Sequence, residues 1–182
     1  IANIIKMWHS QETVWNLMEP PQAARHYSRV AMLRSDLLYV TPIDIYQLPD
    51  GSMAYQNQFA VIPNFGNFPV NDRMIYGPAD AVQIWAAGRF RRLEKHVARV
   101  AESGDGIHPE RFLHHTIFPA IRDAGIPILP GNQNLCLLRV RSDYSVRMRD
   151  CGRDCVTDHN QRAVESLIQR PCLLNTTNPN VA

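Results

Sequence analysis

Three short polar clusters hold the side chains best suited to chemistry: Arg34-Ser35-Asp36, Asn71-Asp72-Arg73 and His108-Pro109-Glu110-Arg111. Asp36 follows the apolar run Val30 to Leu33, which reads as a buried strand. In open α/β sheets ligands collect at the carboxyl ends of strands, so a carboxylate there can hold a divalent ion or a sugar hydroxyl. One carboxylate does not hold an ion alone, but an ion already bound to a diphosphate needs only one or two. The plainer alternative is that Asp36 caps a turn or pairs with Arg34.

Asp72 sits between two hydrogen-bonding neighbours, past a loop rich in Asn, Gly and Pro, where it could accept a hydroxyl proton or orient the hydroxyl for attack. Its alternative role is a structural ion pair with Arg73. His108 and Glu110 open a helix, whose free N–H groups favour an anion, and His108 could touch a phosphate or an acceptor. Otherwise Glu110 simply answers the helix dipole. His114 and His115 are adjacent, point to different helix faces and make no chelate pair.

The elements that must position these clusters alternate between strand and helix. Ser10 caps a helix over 10–18 that Pro20-Pro21 ends, and a second short piece covers Gln22 to Tyr27. Strands are expected at Arg29–Leu33, Leu37–Val40, Gln58–Ile62, Val70–Tyr76, Pro127–Leu129 and Leu135–Val140. Gly77-Pro78 opens the longest helix, carried to Ser103-Gly104 by Val82, Ala86, Phe90, Leu93, Val97 and Val100. Pro109 starts another helix that Pro119 should kink or stop and Gly125 should end; a cysteine-bearing loop and a helix over 158–169 follow. This order predicts one α/β domain over 1–170 and a tail over 171–182.

Composition removes several classes. With 182 residues, 45% of them hydrophobic, the chain can bury one real core. No window approaches the roughly 20 apolar residues of a membrane span, so no membrane contact is expected in this segment. Net charge is only +2, and Arg89, Arg91, Arg92 and Lys95 form a basic helix face too short for a nucleic-acid stripe, so no nucleic-acid partner is expected. Cys151 and Cys155 could form a disulfide in an oxidising compartment, and Asn175-Thr176-Thr177 is a glycosylation sequon that agrees with a secretory lumen.

The order of the clusters is also similar to a family pattern. Val30-Ala-Met-Leu-Arg-Ser-Asp-Leu-Leu-Tyr39 resembles the R-x-D-x-x-Y/F strand segment of GT-A-like nucleotide-sugar glycosyltransferases of algae, plants and large viruses. Ile62-Pro63-Asn64-Phe65, then Val70-Asn71-Asp72-Arg73 through Gly77-Pro78, resembles the next segment of that family. His108-Pro109-Glu110-Arg111-Phe112-Leu113 resembles its H-x-E-x-x-L helix start. The likeness runs from about residue 10 to residue 142. It implies a GT-A-like (Rossmann-like) mixed sheet flanked by helices, without its N-terminal nucleotide-binding strands, because no Gly-rich phosphate loop precedes residue 30.

By the same resemblance Asp36 takes the place of the last aspartate of the metal-binding D-x-D motif, with Arg34 replacing the first. A divalent cation (Mn or Mg) would then bind at Asp36, while Arg34 and Asp36 face the donor diphosphate. Asp72 would be the catalytic group in the acceptor pocket, general base in an inverting enzyme or orienting group in a retaining one. Asn71, Arg73, His108 and Glu110 would line that pocket. The implied partners are a nucleotide-sugar donor and a glycan or glycoprotein acceptor in the Golgi lumen. The competing expectation is a non-catalytic transferase-like module, structural or sugar-binding, in a larger assembly.

Overall fold

Strand side chains alternate between faces, and that alternation organises the computed structural model, which describes residues 2–18, 27–39, 42–47, 58–64, 68–104, 106–130, 136–140 and 146–151. The chain runs through α1 (Ala2–Met18), β1 (Arg29–Leu33), β2 (Leu37–Tyr39), β3 (Ala60–Ile62), β4 (Met74–Pro78) and α2 (Ala79–Ala87). A 3-10 turn (Phe90–Arg92) leads into α3 (Leu93–Ser103), and α4 (Pro109–Phe112), a π turn (Leu113–Ile117) and α5 (Phe118–Asp123) form one continuous helical run. Strands β5 (Ile128–Pro130), β6 (Cys136–Val140) and β7 (Val146–Cys151) complete the described chain.

The main sheet has the order β1-β4-β3-β5; β4 is antiparallel to β1 and β3, and β5 is parallel to β3. Val30, Met32, Ala60, Ile62 and Ile75 face the helices and share a core with Trp8, Trp85 and Phe112. Val61, Met74 and Tyr76 face the other way and meet Leu37, Tyr39 and Leu137 of a second, antiparallel sheet, β2-β6-β7. Helices, mixed sheet and small sheet therefore stack as layers of an α/β domain.

Several expectations change. The first helix begins at Ala2, because Trp8 and Trp15, two turns apart, are both buried and extend the apolar stripe toward the N-terminus. Ser10 is consequently not a cap; its hydroxyl donates to the Lys6 carbonyl at 2.9 Å. Pro78 ends β4 instead of entering the helix, and the expected long helix breaks at Gly88. A Cβ at Gly88 would lie 2.4 Å from the Ile84 carbonyl oxygen, so this turn excludes other residues. The break turns Arg89 inward: it is 1% exposed, donates to the Trp85 carbonyl at 2.8 Å, and stacks over the Trp85 ring at 4.4 Å. Burial pushes its pKa down to about 9, with the Asp72 charge opposing that shift.

Pro119 does not stop its helix. The preceding π turn, in which Phe118 N–H reaches the Leu113 carbonyl, accommodates a residue that lacks an N–H. Gly125 (φ 78°) then ends the run as expected: Gly125 N donates to Arg122 O and Ile126 N to Ile121 O, a Schellman pair with Ile121 and Ile126 both buried. β2 belongs to the small sheet and leaves Leu38 exposed, where a buried strand was expected. Residues 146–151 form a strand, not a loop, and Cys151 ends it opposite Cys136 in register. Tyr27 is not helical. Residues 22–26, Cys155, the helix over 158–169, the sequon and the tail over 171–182 lie outside the described residues.

Trp8 stacks on Phe112 with ring centroids 4.4 Å apart, and Phe112 meets the edge of His96 at 4.6 Å. His96 is 1% exposed, and burial, with Arg99 and His115 nearby, pushes its pKa down to about 4. The fold therefore holds His96 neutral. Its contribution is fully present above the ordinary value of about 6.5 and is lost as pH falls toward 4.

Two outcomes follow from this packing. Gly77 has φ 155°, and a Cβ there would stand 2.8 Å from Ala60 Cα and the Phe59 carbonyl oxygen. Gly77→Ala is expected to lower unfolding stability by about 2 kcal/mol in urea titrations. Between pH 6.5 and 4 the wild type should lose on the order of 2–3 kcal/mol relative to His96→Gln, read as the difference between their urea midpoints.

Candidate functional site

Register brings the first two clusters together. β1 and β4 pair Leu33 with Met74, so the residues beyond, Arg34 and Arg73, face each other, and Arg34 N donates to the Arg73 carbonyl at 3.1 Å. Asn71, fully buried, accepts from Arg73 N through Oδ1 at 2.8 Å, a local turn that fixes Asp72 beside β1.

The centre of the arrangement is the Arg34 guanidinium. Its Nε and Nη2 donate to Asp36 Oδ1 and Oδ2 at 2.9 and 2.8 Å, and its Nη1 donates to Asp72 Oδ2 at 2.9 Å. This fork is the geometry that suits arginine to carboxylates. Burial works against the Arg34 charge, but the hydrogen bonds to Asp36 and the charges of Asp72, Asp36 and Glu110 hold its pKa above the ordinary value. For Asp36, burial raises the carboxyl, and the Arg34 hydrogen bonds with the Arg34 and Arg139 charges outweigh it and hold the pKa low. Stability from Asp36 is thus present above the ordinary carboxylate range and is lost as pH falls through the depressed value. Its 39% side-chain exposure keeps that contribution small.

The third cluster joins by electrostatics. Glu110 has its pKa raised by burial and then by the Asp72 charge, with His108 and Arg73 opposing. His108 Nδ1 lies 2.9 Å from Glu110 Oε2 but without the angle of a hydrogen bond, so the contact is an ion pair only when His108 is protonated. The Phe68 ring meets His108 edge-on at 5.4 Å, and the Arg111 guanidinium stands 5.8 Å from that ring, which packs the end of the Asn/Pro loop on the helix start. The Asp72–Arg73 pair considered for the second cluster is replaced by Asp72–Arg34.

Sequence reasoning missed two participants. Arg139 Nε stands 3.4 Å from Asp36 Oδ2, delivered by the β2–β6 register that pairs Leu37 with Arg139. Gln11, on α1, lines a cavity of about 340 Å³ together with Ser10, Met32, Arg34 and Asp36, and its Oε1 is buried without a donor among the described residues. Neither had a local signal, since each acts only through tertiary neighbours. Asp72 does not line this cavity.

Both Asp36 oxygens accept from Arg34, so a divalent cation at Asp36 would first have to displace a guanidinium. Among the described residues no group of three or more His, Cys, Asp or Glu gathers to hold an ion. The carboxylates as arranged suit hydroxyl donors better than a cation. Compared with protein families, curated proteins and solved structures, the chain matches none.

Arg34→Met would leave the Asp72 side chain, 7% exposed, as a buried charge without its partner. Loss of 3–5 kcal/mol, about the cost of breaking a buried pair, is expected in chemical denaturation. Arg34→Lys should recover only part of it, because an ammonium cannot bridge both carboxylates with a planar fork.

Proposed function

We propose that the Arg34 cluster is the sugar-handling site of a GT-A-like glycosyltransferase that moves a sugar from a nucleotide-sugar donor to a glycan or glycoprotein acceptor. One observation carries this reading: polar clusters 38 residues apart in sequence are joined through one guanidinium at the edge of the main sheet, beside a cavity of about 340 Å³. That volume is within the range of small-ligand sites.

In this reading Arg34 orients two carboxylates while bringing positive charge toward the donor diphosphate. Asp72 Oδ2 is engaged by Arg34, and Oδ1 serves the acceptor hydroxyl. The acceptor oxygen bonds to the anomeric carbon as the bond to the diphosphate oxygen breaks. The diphosphate leaves with the electron pair, and Asp72 takes or directs the hydroxyl proton. Orientation and charge stabilisation supply most of the rate gain. The resemblance in sequence adds the Golgi lumen as the compartment and Mn or Mg as the ion that a rearranged Asp36 would meet.

A second reading, a non-catalytic sugar-binding module of a larger assembly, is favoured by the engagement of both carboxylates by Arg34 and by a cavity lining that includes Asp36 but not Asp72. Turnover separates the two. With the complete protein and a panel of UDP- and GDP-sugars, Asp72→Asn should lower donor hydrolysis or transfer at least about 100-fold while circular dichroism stays unchanged. Wild-type rates in both Asp72→Asn and Asp36→Asn would exclude the transferase. Sugar binding without turnover in the wild type would establish the module.

A further inference from the structure

A larger cavity, about 530 Å³, opens between α3 and the π turn and shares no lining residue with the Arg34 cluster. Arg92, Lys95 and Arg99 project into it from one side. Their spacing of three and four residues places them on one helix face. His115 and Thr116 come from the opposite wall. They belong to the π turn, the kind of widened turn that recurs at functional sites because it re-aims the residues it carries.

The charges of this cavity are unbalanced. Glu102 and Asp123 also line it, yet among the described residues Arg92, Lys95 and Arg99 form no ion pair. Arg99 Nε is buried with no acceptor. On the cavity wall Thr116 Oγ1 and Arg99 Nη2 both approach His96 Nδ1, at 2.9 and 3.4 Å. Arg92 Nη1 donates to the Gly88 carbonyl at 2.9 Å; buried donors are normally satisfied, so the Arg99 Nε–H beside cations without ion pairs marks a place for oxyanion oxygens.

We propose that this cavity binds a small molecule carrying a phosphate or sulfate ester and hydroxyl groups, of about monosaccharide size. Arg92, Lys95 and Arg99 meet the ester oxygens, and Thr116, Glu102 and Asp123 meet hydroxyls. The volume suits a small ligand, and the basic residues end with the cavity instead of continuing as a stripe with aromatic platforms, which disfavours a nucleic acid. The site stands apart from glycosyl transfer and does not depend on it.

The test is an NMR titration of the full chain, following the Thr116 amide and the Arg99 Nε–H, with glucose 6-phosphate, glucose 6-sulfate, glucose and sodium chloride at matched ionic strength. Saturable shifts are expected with at least one ester and with neither glucose nor chloride; the responding ester tells phosphate from sulfate. Lys95→Gln and Arg99→Gln should each weaken binding about tenfold, the loss of one charged hydrogen bond. Lys6→Gln should leave it unchanged. Absence of saturation with both esters, an equal response to chloride, or unaltered affinity in Lys95→Gln and Arg99→Gln would overturn the proposal. Should Arg99→Gln not fold, Lys95→Gln decides, because Lys95 is exposed on α3 and carries no packing role.

Discussion

The guanidinium of Arg34 is the interaction on which the polar half of this structure depends. It leaves the end of β1 and binds Asp36 with two nitrogens and Asp72 with the third. Asp72 is nearly buried, and a carboxylate in that position is tolerable only with a hydrogen-bonded cation beside it. Arg34 in turn keeps its charge because those carboxylates outweigh the burial penalty. Fold and candidate site are thus one arrangement: the β1–β4 register brings the groups together, and their mutual neutralisation lets the sheet end there.

A second constraint lies beneath it. Trp8, Phe112 and His96 form a chain of buried rings connecting α1, α4 and α3, and Trp85 of α2 shares their buried core. Arg89 is inserted among them, its Nη atoms without hydrogen-bond partners among the described residues. Stacking on indole faces and the Asp72 charge offset part of the cost of burying that cation. α4 ties this core to the site, since Phe112 is fully buried while Glu110, two residues earlier, responds to the Asp72 charge.

The two cavities differ in chemistry because different elements build them. The one beside Arg34 has apolar walls from α1 and β1 and one carboxylate, Asp36, already answered by a guanidinium. The one against α3 has cations that form no ion pair among the described residues. A helix turning from α to π geometry and back supplies its polar wall, a feature that propensity does not reveal, because Leu113 to Ile117 reads as ordinary helix.

The sequence by itself determined the local elements. Apolar runs gave β1, β3, β5 and β6, Pro109 and Gly125 bounded one helical run, and the α/β class followed from their order. It also marked Arg34, Asp36 and Asp72 as polar residues at element ends, and it contained Asp36–Arg34 pairing as an open alternative. Local signals misplaced the start of α1, ran one helix through Gly88 and read β7 as loop, since burial of Trp8 and Arg89 and pairing with β6 outweigh propensity. Only the tertiary structure decided that Arg34 would take both carboxylates, that Arg139 and Gln11 would join them, and that Arg92, Lys95 and Arg99 would line one cavity. The physical reason is that propensity and periodicity act over a few residues, whereas ion pairing and desolvation depend on which distant segments register and packing make neighbours.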